Sequence, residues 1–323
     1  MAYLAGTLVT TDAIGNREDL EDLIYKISPT QTPFMSMIAS RGKAKATYHE
    51  WQTDTLASAG VNQVVEGNDA SFTTAAATTR VGNRTQISTK TILVSGTQEV
   101  VDKAGRDSEY AYQAAKRMDE LKRDMEFTLT GNYASSAGSK TVARRLGSLE
   151  AWYTSNTSRG AGGNASGGFS SGDVAAATDA TAAALRTVTE AMLKTAMQQA
   201  WTNGGQPDKV MVGPINKQRF SAFAGIATLY RDTAGKKSNV SILGAADIYV
   251  SDFGEVQIIP NRFSRERTCH VLDSGYWEVA YLRPFKDEKL AKTGDGIKGQ
   301  IIVEYTLVSK NEAASSVIAD LAS

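Results

Sequence analysis

The sequence predicts an α+β fold in which one segment of the chain is inserted into another. Two strand-like segments come early, and a long amphipathic helix follows them. A mixed region of helices and strands then separates this helix from a strand-rich end. The chain has 323 residues, of which 41% are apolar and 8% aromatic, so it is long and apolar enough to bury a core.

The first 50 residues read as an extended arm and not as a domain. Residues 17–27 carry apolar side chains at helical spacing, and this helix is expected to end at Pro29, because the residue before a proline avoids helical backbone angles. The sequence around Pro33 and Phe34 holds few groups to bury. We therefore expect the arm to gain most of its burial from another molecule, such as a neighbouring copy of the chain.

Residues 48–56 and 85–94 are predicted strands, because both are rich in threonine, aromatic and branched residues. About thirty small and polar residues lie between them, a length that is unusual for a loop without a core of its own. Loops of this kind are commonly functional or disordered. We interpret the segment as a projecting hairpin.

Residues 107–130 form the clearest helix of the sequence, because apolar side chains recur every three or four positions between charged ones. Asp107 is the expected N-cap, and Gly131 follows the last turn. At 1.5 Å per residue such a helix extends about 36 Å, so it can serve as a spine.

The middle of the chain begins with a glycine- and serine-rich run at 157–172, either a domain insertion boundary or a mobile surface loop. A helix at 181–201, a strand at 209–212 and a helix at 214–223 are predicted next. The remaining predicted strands are at 247–253, 255–259, 269–272, 277–282 and 299–309. The four N-x-S/T sequences are interpreted as polar loops; they begin at Asn83, Asn156, Asn164 and Asn239.

Charge and composition exclude several classes of protein. Lysine and arginine (35) balance aspartate and glutamate (35), so the chain lacks the long-range positive field of a dedicated nucleic-acid binder, and any contact with DNA is expected to be local and weak. No apolar run approaches the roughly 18 residues of a membrane span. We expect an intracellular protein without a membrane partner.

The sequence offers little for catalysis. The single cysteine, Cys269, precedes His270 in a predicted strand, where consecutive side chains point to opposite faces and cannot easily act as nucleophile and base. The only other histidine is His49, and no zinc-binding spacing occurs. Residues 294–299 satisfy GxGxxG but precede a strand, the wrong context for a dinucleotide fold, and are interpreted as a turn. We expect no enzyme, metal or cofactor.

Several short stretches, taken in order, resemble the major capsid proteins of tailed bacteriophages with the Hong Kong 97-like fold. They are Asp22-Leu23-Ile24, Ser28-Pro29, Thr32-Pro33-Phe34, His49-Glu50-Trp51, Asp54, Leu56, Glu66-Gly67-Asn68-Asp69, Leu282-Arg283-Pro284, Leu290-Ala291-Lys292-Thr293-Gly294-Asp295, Glu304-Tyr305-Thr306-Leu307 and Asn311-Glu312. These stretches span residues 22–312, and their specificity rests on their occurrence together.

The resemblance implies a domain organisation and a function. It implies an N-terminal arm at 1–50, an extended hairpin called the E-loop at 51–92, and an axial domain at 149–285. The peripheral domain would comprise 93–148 and 286–323, with the spine helix at 107–130. Such subunits form pentamers and hexamers that close into an icosahedral head around double-stranded DNA. The chain would be a virion component that assembles in the bacterial host cytoplasm.

The resemblance also implies how copies are joined. Contacts between subunits are expected at Pro33, Phe34, Trp51, Asp54, Glu66, Asp69, Arg80 and Arg84. Some members of the fold lock their shells with a covalent bond from a hairpin lysine, but residues 46–89 contain no lysine, so a non-covalent shell is expected. The arm is too short to include a scaffolding segment. A separate scaffolding protein and a portal are therefore expected partners.

Two alternatives remain at this point. A shell protein of a bacterial nanocompartment has the same fold and would enclose an enzyme in place of DNA. A hydrolase with an inserted α/β domain belongs to a different class of protein.

Overall fold

The computed structural model describes residues 28–70, 72, 74–164, 167–223 and 248–322, apart from the side chains of residues 40 and 41. The helix predicted at 17–27 and Asn239 lie outside these residues. The helices are α1 (Pro33–Met37), α2 (Gly96–Val100), α3 (Glu109–Leu129), α4 (Leu149–Trp152), α5 (Glu190–Thr202) and α6 (Pro214–Ser221). The strands are β1 (Ala39–Lys43), β2 (Tyr48–Thr53), β3 (Thr79–Arg84), β4 (Gln86–Ser95), β5 (Thr157–Ser158), β6 (Gly168–Ser170), β7 (Asp173–Ala175), β8 (Lys209–Val212), β9 (Ile248–Ser251), β10 (Gly254–Pro260), β11 (Cys269–Leu272), β12 (Trp277–Leu290), β13 (Gly296–Ser309) and β14 (Ser316–Ile318).

A four-stranded sheet and the long helix α3 form the first part of the core. The strand order is β1-β12-β13-β4, and β13 pairs antiparallel with both β12 and β4. α3 packs on one face of this sheet. Its buried side chains Leu121 and Met125 belong to one apolar cluster with Ile301 and Val303 of β13. Apolar burial therefore holds the spine helix on the sheet.

A six-stranded sheet with the order β5-β14-β11-β8-β10-β9 forms the second part. β8 runs parallel to β10 and antiparallel to β11. Leu193 and Met197 of α5 are fully buried in a second apolar cluster with Val212 and Phe220. The mixed helices and sheets confirm the predicted α+β class. No helix in the described ranges has the length and apolarity that a membrane span requires.

The described end of the arm is buried within its own chain, which differs from the expectation. β1 pairs with β12 in parallel, and Phe34 has no exposed surface. The buried carboxylate of Glu126 in α3 accepts hydrogen bonds from the backbone N–H groups of Phe34 (2.7 Å) and Met35 (3.0 Å). The prediction missed these contacts because their partners lie about ninety residues away in the sequence.

Two helix predictions require correction. The spine helix is present as α3, but its N-cap is Ser108, whose hydroxyl accepts from the backbone N–H of Ala111, and not Asp107. The helix predicted at 181–201 is α-helical only in α5. Before it, Arg186 is extended, because its backbone N–H donates to the carbonyl of Asp320 and its carbonyl accepts from Ala322. This tertiary pairing overrides the helical pattern.

Among the strands after residue 247, β10, β12 and β13 are longer than predicted, β11 is as predicted and β9 is shorter. β12 continues through Pro284 to Leu290, with register shifts between Tyr281 and Lys286 that accommodate the proline. Of the GxGxxG sequence, Gly294, with a φ of 109°, and Asp295 lie in the β12–β13 connection, whereas its last four residues begin β13, so its interpretation as a turn holds only for the first two residues. β12 belongs to the four-stranded sheet along its whole length, beginning at its first residue. β14 belongs to the six-stranded sheet. The domain bounds given above remain a proposal.

Candidate functional site

The segment interpreted as a hairpin has a paired base and an unpaired end. β2 and β3 pair antiparallel from Tyr48 opposite Arg84 to Thr53 opposite Thr79. The strand predicted at 85–94 is β4, so β3, which pairs with β2, was not predicted. We call the paired strands the hairpin root and residues 54–78 the hairpin tip. Every described residue of the tip is exposed.

The hairpin tip combines apolar side chains with negative charge. Its exposed large apolar residues are Leu56 (100%), Val61 (88%), Val64 (77%), Val65 (80%) and Phe72 (94%). Its carboxylates are Asp54, Glu66 and Asp69, and it contains no lysine, arginine or histidine. Burying the five apolar side chains would contribute on the order of 10 kcal/mol before the entropy cost of ordering the segment. An exposed apolar segment of this size is typical of a surface that binds another protein.

Asn83 fixes the hairpin root to the rest of the chain. Its side chain is 1% exposed, and its amide nitrogen donates to the carbonyls of Gly147 (2.9 Å) and Leu307 (2.8 Å). Its amide oxygen accepts from the backbone N–H groups of Gly147 and Arg84, both at 2.8 Å. All four hydrogen bonds that an asparagine side chain can make are thus formed. The interpretation of Asn83 as a polar loop residue was wrong, because it lies in β3, whereas Asn156 does lie in a loop, between α4 and β5, with its side chain buried.

Trp51 holds the other strand of the root. Its indole N–H donates to the carbonyl of Ser309 at 2.9 Å, and its ring lies 5.7 Å from that of Trp152. The side chain is half-buried by these contacts. Trp51 was expected to contact a neighbouring subunit, and the structure gives it a role within its own subunit.

Arg84 is likewise engaged within the chain. Its Nε donates to a carboxylate oxygen of Asp173 at 2.9 Å, and its guanidinium lies 4.7 Å from the centre of the Tyr48 ring. The hydrogen bond from Arg84, followed by that from Ser135, lowers the pKa of the Asp173 carboxyl. Arg84 therefore joins the root to β7.

The remaining predicted contact residues divide into exposed and buried positions. Asp54, Glu66 and Asp69 are exposed on the tip. Arg80 is exposed on the hairpin root, where its guanidinium lies 3.6 Å from the Glu50 carboxylate. Half-buried Pro33 begins α1. Phe34 requires correction: its side chain is completely covered by its own chain and offers no surface to a neighbour.

A buried carboxylate beside the root was not predicted. Glu304 of β13 is 5% exposed and accepts hydrogen bonds from Thr85 (2.8 Å), Arg283 (2.8 Å) and Arg144. Burial works to raise the pKa of this carboxyl, but the hydrogen bonds and the two cations outweigh it and lower the pKa. The signal in the sequence was the single carboxylate of β13, which directly follows the three apolar residues 301–303.

Cys269 and His270, the adjacent residues considered above as nucleophile and base, are both fully buried. Burial raises the pKa of the Cys269 thiol and lowers that of His270 to about 3. Neither ring nitrogen of His270 has a hydrogen-bond partner within the described part of the chain. The described residues also contain no cluster of histidine, cysteine and carboxylate side chains that could hold a metal ion.

Comparison with known proteins places the chain among phage capsid proteins. The family described as the SU10 major capsid protein matches residues 7–322. The major capsid protein of Escherichia phage Phieco32 is 29% identical over 343 aligned positions, which cover 96% of both chains. Because the family match spans nearly the whole chain, it decides against the hydrolase.

Solved structures agree on the fold. The capsid asymmetric unit of Cyanophage A-1(L) is similar with a TM-score of 0.63 and 12% identity, over 97% of this chain and 98% of that one. The SrpI encapsulin of Synechococcus elongatus PCC 7942 is also similar, with a TM-score of 0.54 and 12% identity, over 95% of this chain and 92% of that one. The Hong Kong 97-like fold is thus confirmed, and because an encapsulin shares it, the family match decides the function.

The chain is a structural protein of the virion and not an enzyme. Its fold, its hairpin and the match over residues 7–322 lead to one conclusion: the chain belongs to the SU10 major capsid protein family of tailed phages.

Proposed function

We propose that copies of the chain join through their hairpin tips, non-covalently, into pentamers and hexamers of an icosahedral head that encloses double-stranded DNA. The observation that carries this proposal is an exposed tip with five large apolar side chains on a root fixed by Asn83, Trp51 and Arg84. A fixed root reduces the ordering entropy that association must overcome. The tip therefore reaches a neighbour in a defined direction.

The absence of a covalent bond follows from the lysines near the hairpin. Residues 46–89 contain none, so the nearest are Lys45 and Lys90. The Lys90 amine lies 2.6 Å from the Asp124 carboxylate of α3, which holds it against its own spine helix. Denatured shells should give one mass in intact-mass spectra, that of the single subunit. A ladder of higher masses would contradict non-covalent joining.

Further partners belong to the same proposal. A separate scaffolding protein guides assembly, a portal occupies one vertex, and assembly takes place in the bacterial host cytoplasm. The packaged DNA is contacted locally and weakly, because the chain carries equal numbers of positive and negative side chains. Retention of DNA in the head then depends on enclosure by the shell.

The experiment is expression of the chain with and without its scaffolding protein, followed by size-exclusion chromatography and negative-stain microscopy. Closed shells are expected from the wild-type chain. Val64→Asp combined with Phe72→Asp should leave a folded subunit that forms no shells, because both side chains need an apolar cover. The matched control is Val142→Asp, since Val142 is 58% exposed outside the hairpin. Wild-type shell yield from the tip variant would refute the proposal.

A further inference from the structure

The strand β4 has an open edge. It forms the end of the four-stranded sheet and pairs with β13 over ten residues, from Gln86 opposite Tyr305 to Ser95 opposite Gly296, without a register shift. On its other side it pairs with no strand in the described ranges. A long regular edge exposes a row of backbone N–H and C=O groups that can pair with another strand.

The opposite edge of the same sheet differs. β1 has five residues and a register shift between Ala39 and Gly42, features that discourage strand addition. β4 contains no proline or glycine. Its one charged residue, Lys90, pairs with Asp124 of α3. The usual protections of an edge are therefore present in β1 and missing from β4.

The face beside this open edge is exposed and carries large apolar side chains among polar ones. Ile92 and Val94 point into the core, so Leu93 (70% exposed) and Ile87 (46%) lie on the face opposite α3. Leu290 (43%) continues this face two strands away, because β12, β13 and β4 align Leu290, Lys298 and Leu93 in one row. The side chains around the row include the exposed cations Lys286 and Arg283.

We propose that the hairpin tip of a second copy adds to the β4 edge as a fifth strand through residues 56–65. This inference rests on the proposed function and names the surface that receives the tip. The ten residues from Leu56 to Val65 span about 33 Å when extended, the same length as β4. Within its own subunit the tip has one backbone–backbone hydrogen bond among the described residues, from Asn68 to Val65, so its strand-forming groups are available.

Pattern and charge fit this pairing. In an extended segment Val61 and Val65 share one face with two alanines and Gln63, and the valines of that face would lie beside Leu93 and Ile87. The tip carries three carboxylates and no cation, whereas Lys298 lies on the receiving face together with Lys286 and Arg283, which are paired with Glu288 and Glu304. Opposite charges at the rim of a contact favour the correct partner and register.

Cysteine cross-linking tests the pairing directly, because the chain's single cysteine, Cys269, is fully buried and silent. Cysteines introduced at Val61, Gln63 or Val65 are combined with a cysteine at Ile87, Thr89 or Leu93. At least one combination should give a ladder of covalent oligomers when assembled shells are oxidised, since each copy offers one tip and one edge. The single variants should give none, and neither should the tip cysteines combined with Val142→Cys.

If the cysteine variants fail to assemble, a different substitution tests the same contact. Leu93→Lys should abolish shells and leave a folded subunit, whereas Val142→Lys should assemble normally. Shells that form without any ladder, wild-type assembly of Leu93→Lys, or dimers from Leu93→Cys alone would overturn the inference and leave the proposed function standing. Failure of the wild-type chain to form shells at all would overturn both.

Discussion

Asn83 and Gly147 are joined by two reciprocal hydrogen bonds, because the amide oxygen of Asn83 accepts from the Gly147 N–H at 2.8 Å and its amide nitrogen donates to the Gly147 carbonyl at 2.9 Å. The same nitrogen reaches the carbonyl of Leu307. One buried side chain thus ties the hairpin root to the loop before α4 and to β13. The direction of the hairpin depends on this junction.

Asn83→Ala should lower the free energy of unfolding by about 2–4 kcal/mol, because it leaves buried backbone groups without partners. Urea unfolding of the purified, unassembled subunit measures the change. Asn68→Ala, on the exposed tip, is the matched control and should change stability by less than about 0.5 kcal/mol. A loss below about 1 kcal/mol for Asn83→Ala would show that the root is held by other contacts.

Glu304→Gln should destabilise the subunit by about 2 kcal/mol at neutral pH, because glutamine has no charge and places a donor where Arg283 or Arg144 donates. The folded-state pKa of Glu304 is lowered, so its contribution is present above the unfolded value of 4.5 and is lost as the pH falls through the folded pKa. The difference between wild type and variant should therefore shrink in melts below pH 4.5. Glu66→Gln on the tip serves as control, and a difference independent of pH would contradict this account.

Arg84→Ala should leave the subunit folded and reduce the yield of shells. The ion pair with Asp173 is partly exposed, so the loss of stability should be within about 1 kcal/mol. Assembly should suffer more, because the root loses one of its contacts with β7. Asp173→Asn should have the same effect, and the double variant should be no worse than either single one. Wild-type yield by electron microscopy, or additive effects, would argue against a shared role.

Local sequence pattern predicted the elements whose stability is local or strongly periodic. The spine helix α3 was predicted to within two residues, because its apolar residues follow the helical period throughout, and the short, fully buried strand β11 was predicted to the residue. The extended backbone at Arg186 was not predicted, since it depends on pairing with the chain's last residues. β3 was missed because residues such as Arg80 and Arg84 hide its pattern, and its partner β2 supplies the pairing.

The sequence predicted the position of the hairpin but only some of the contacts that its residues make. The length and composition of the segment indicated a hairpin, and its acidic tip residues are exposed as expected. Trp51 and Arg84 were assigned to a neighbour, although their partners Ser309 and Asp173 lie in their own chain. Asn83 was interpreted only as the start of an N-x-S/T sequence in a polar loop. Its structural role depends on hydrogen bonds to Gly147 and Leu307, which no local pattern indicates.

Hydrogen–deuterium exchange of residues 54–78 tests most directly whether the tip is buried between copies. In the unassembled subunit these amides should exchange almost as fast as in an unstructured peptide, because the described tip is exposed. In assembled shells the amides of residues 56–65 should exchange at least about tenfold more slowly. The amides of β2 and β3 that pair within the root serve as the internal standard, protected in both states. Equal, fast exchange of the tip in shells and in subunits would contradict the account.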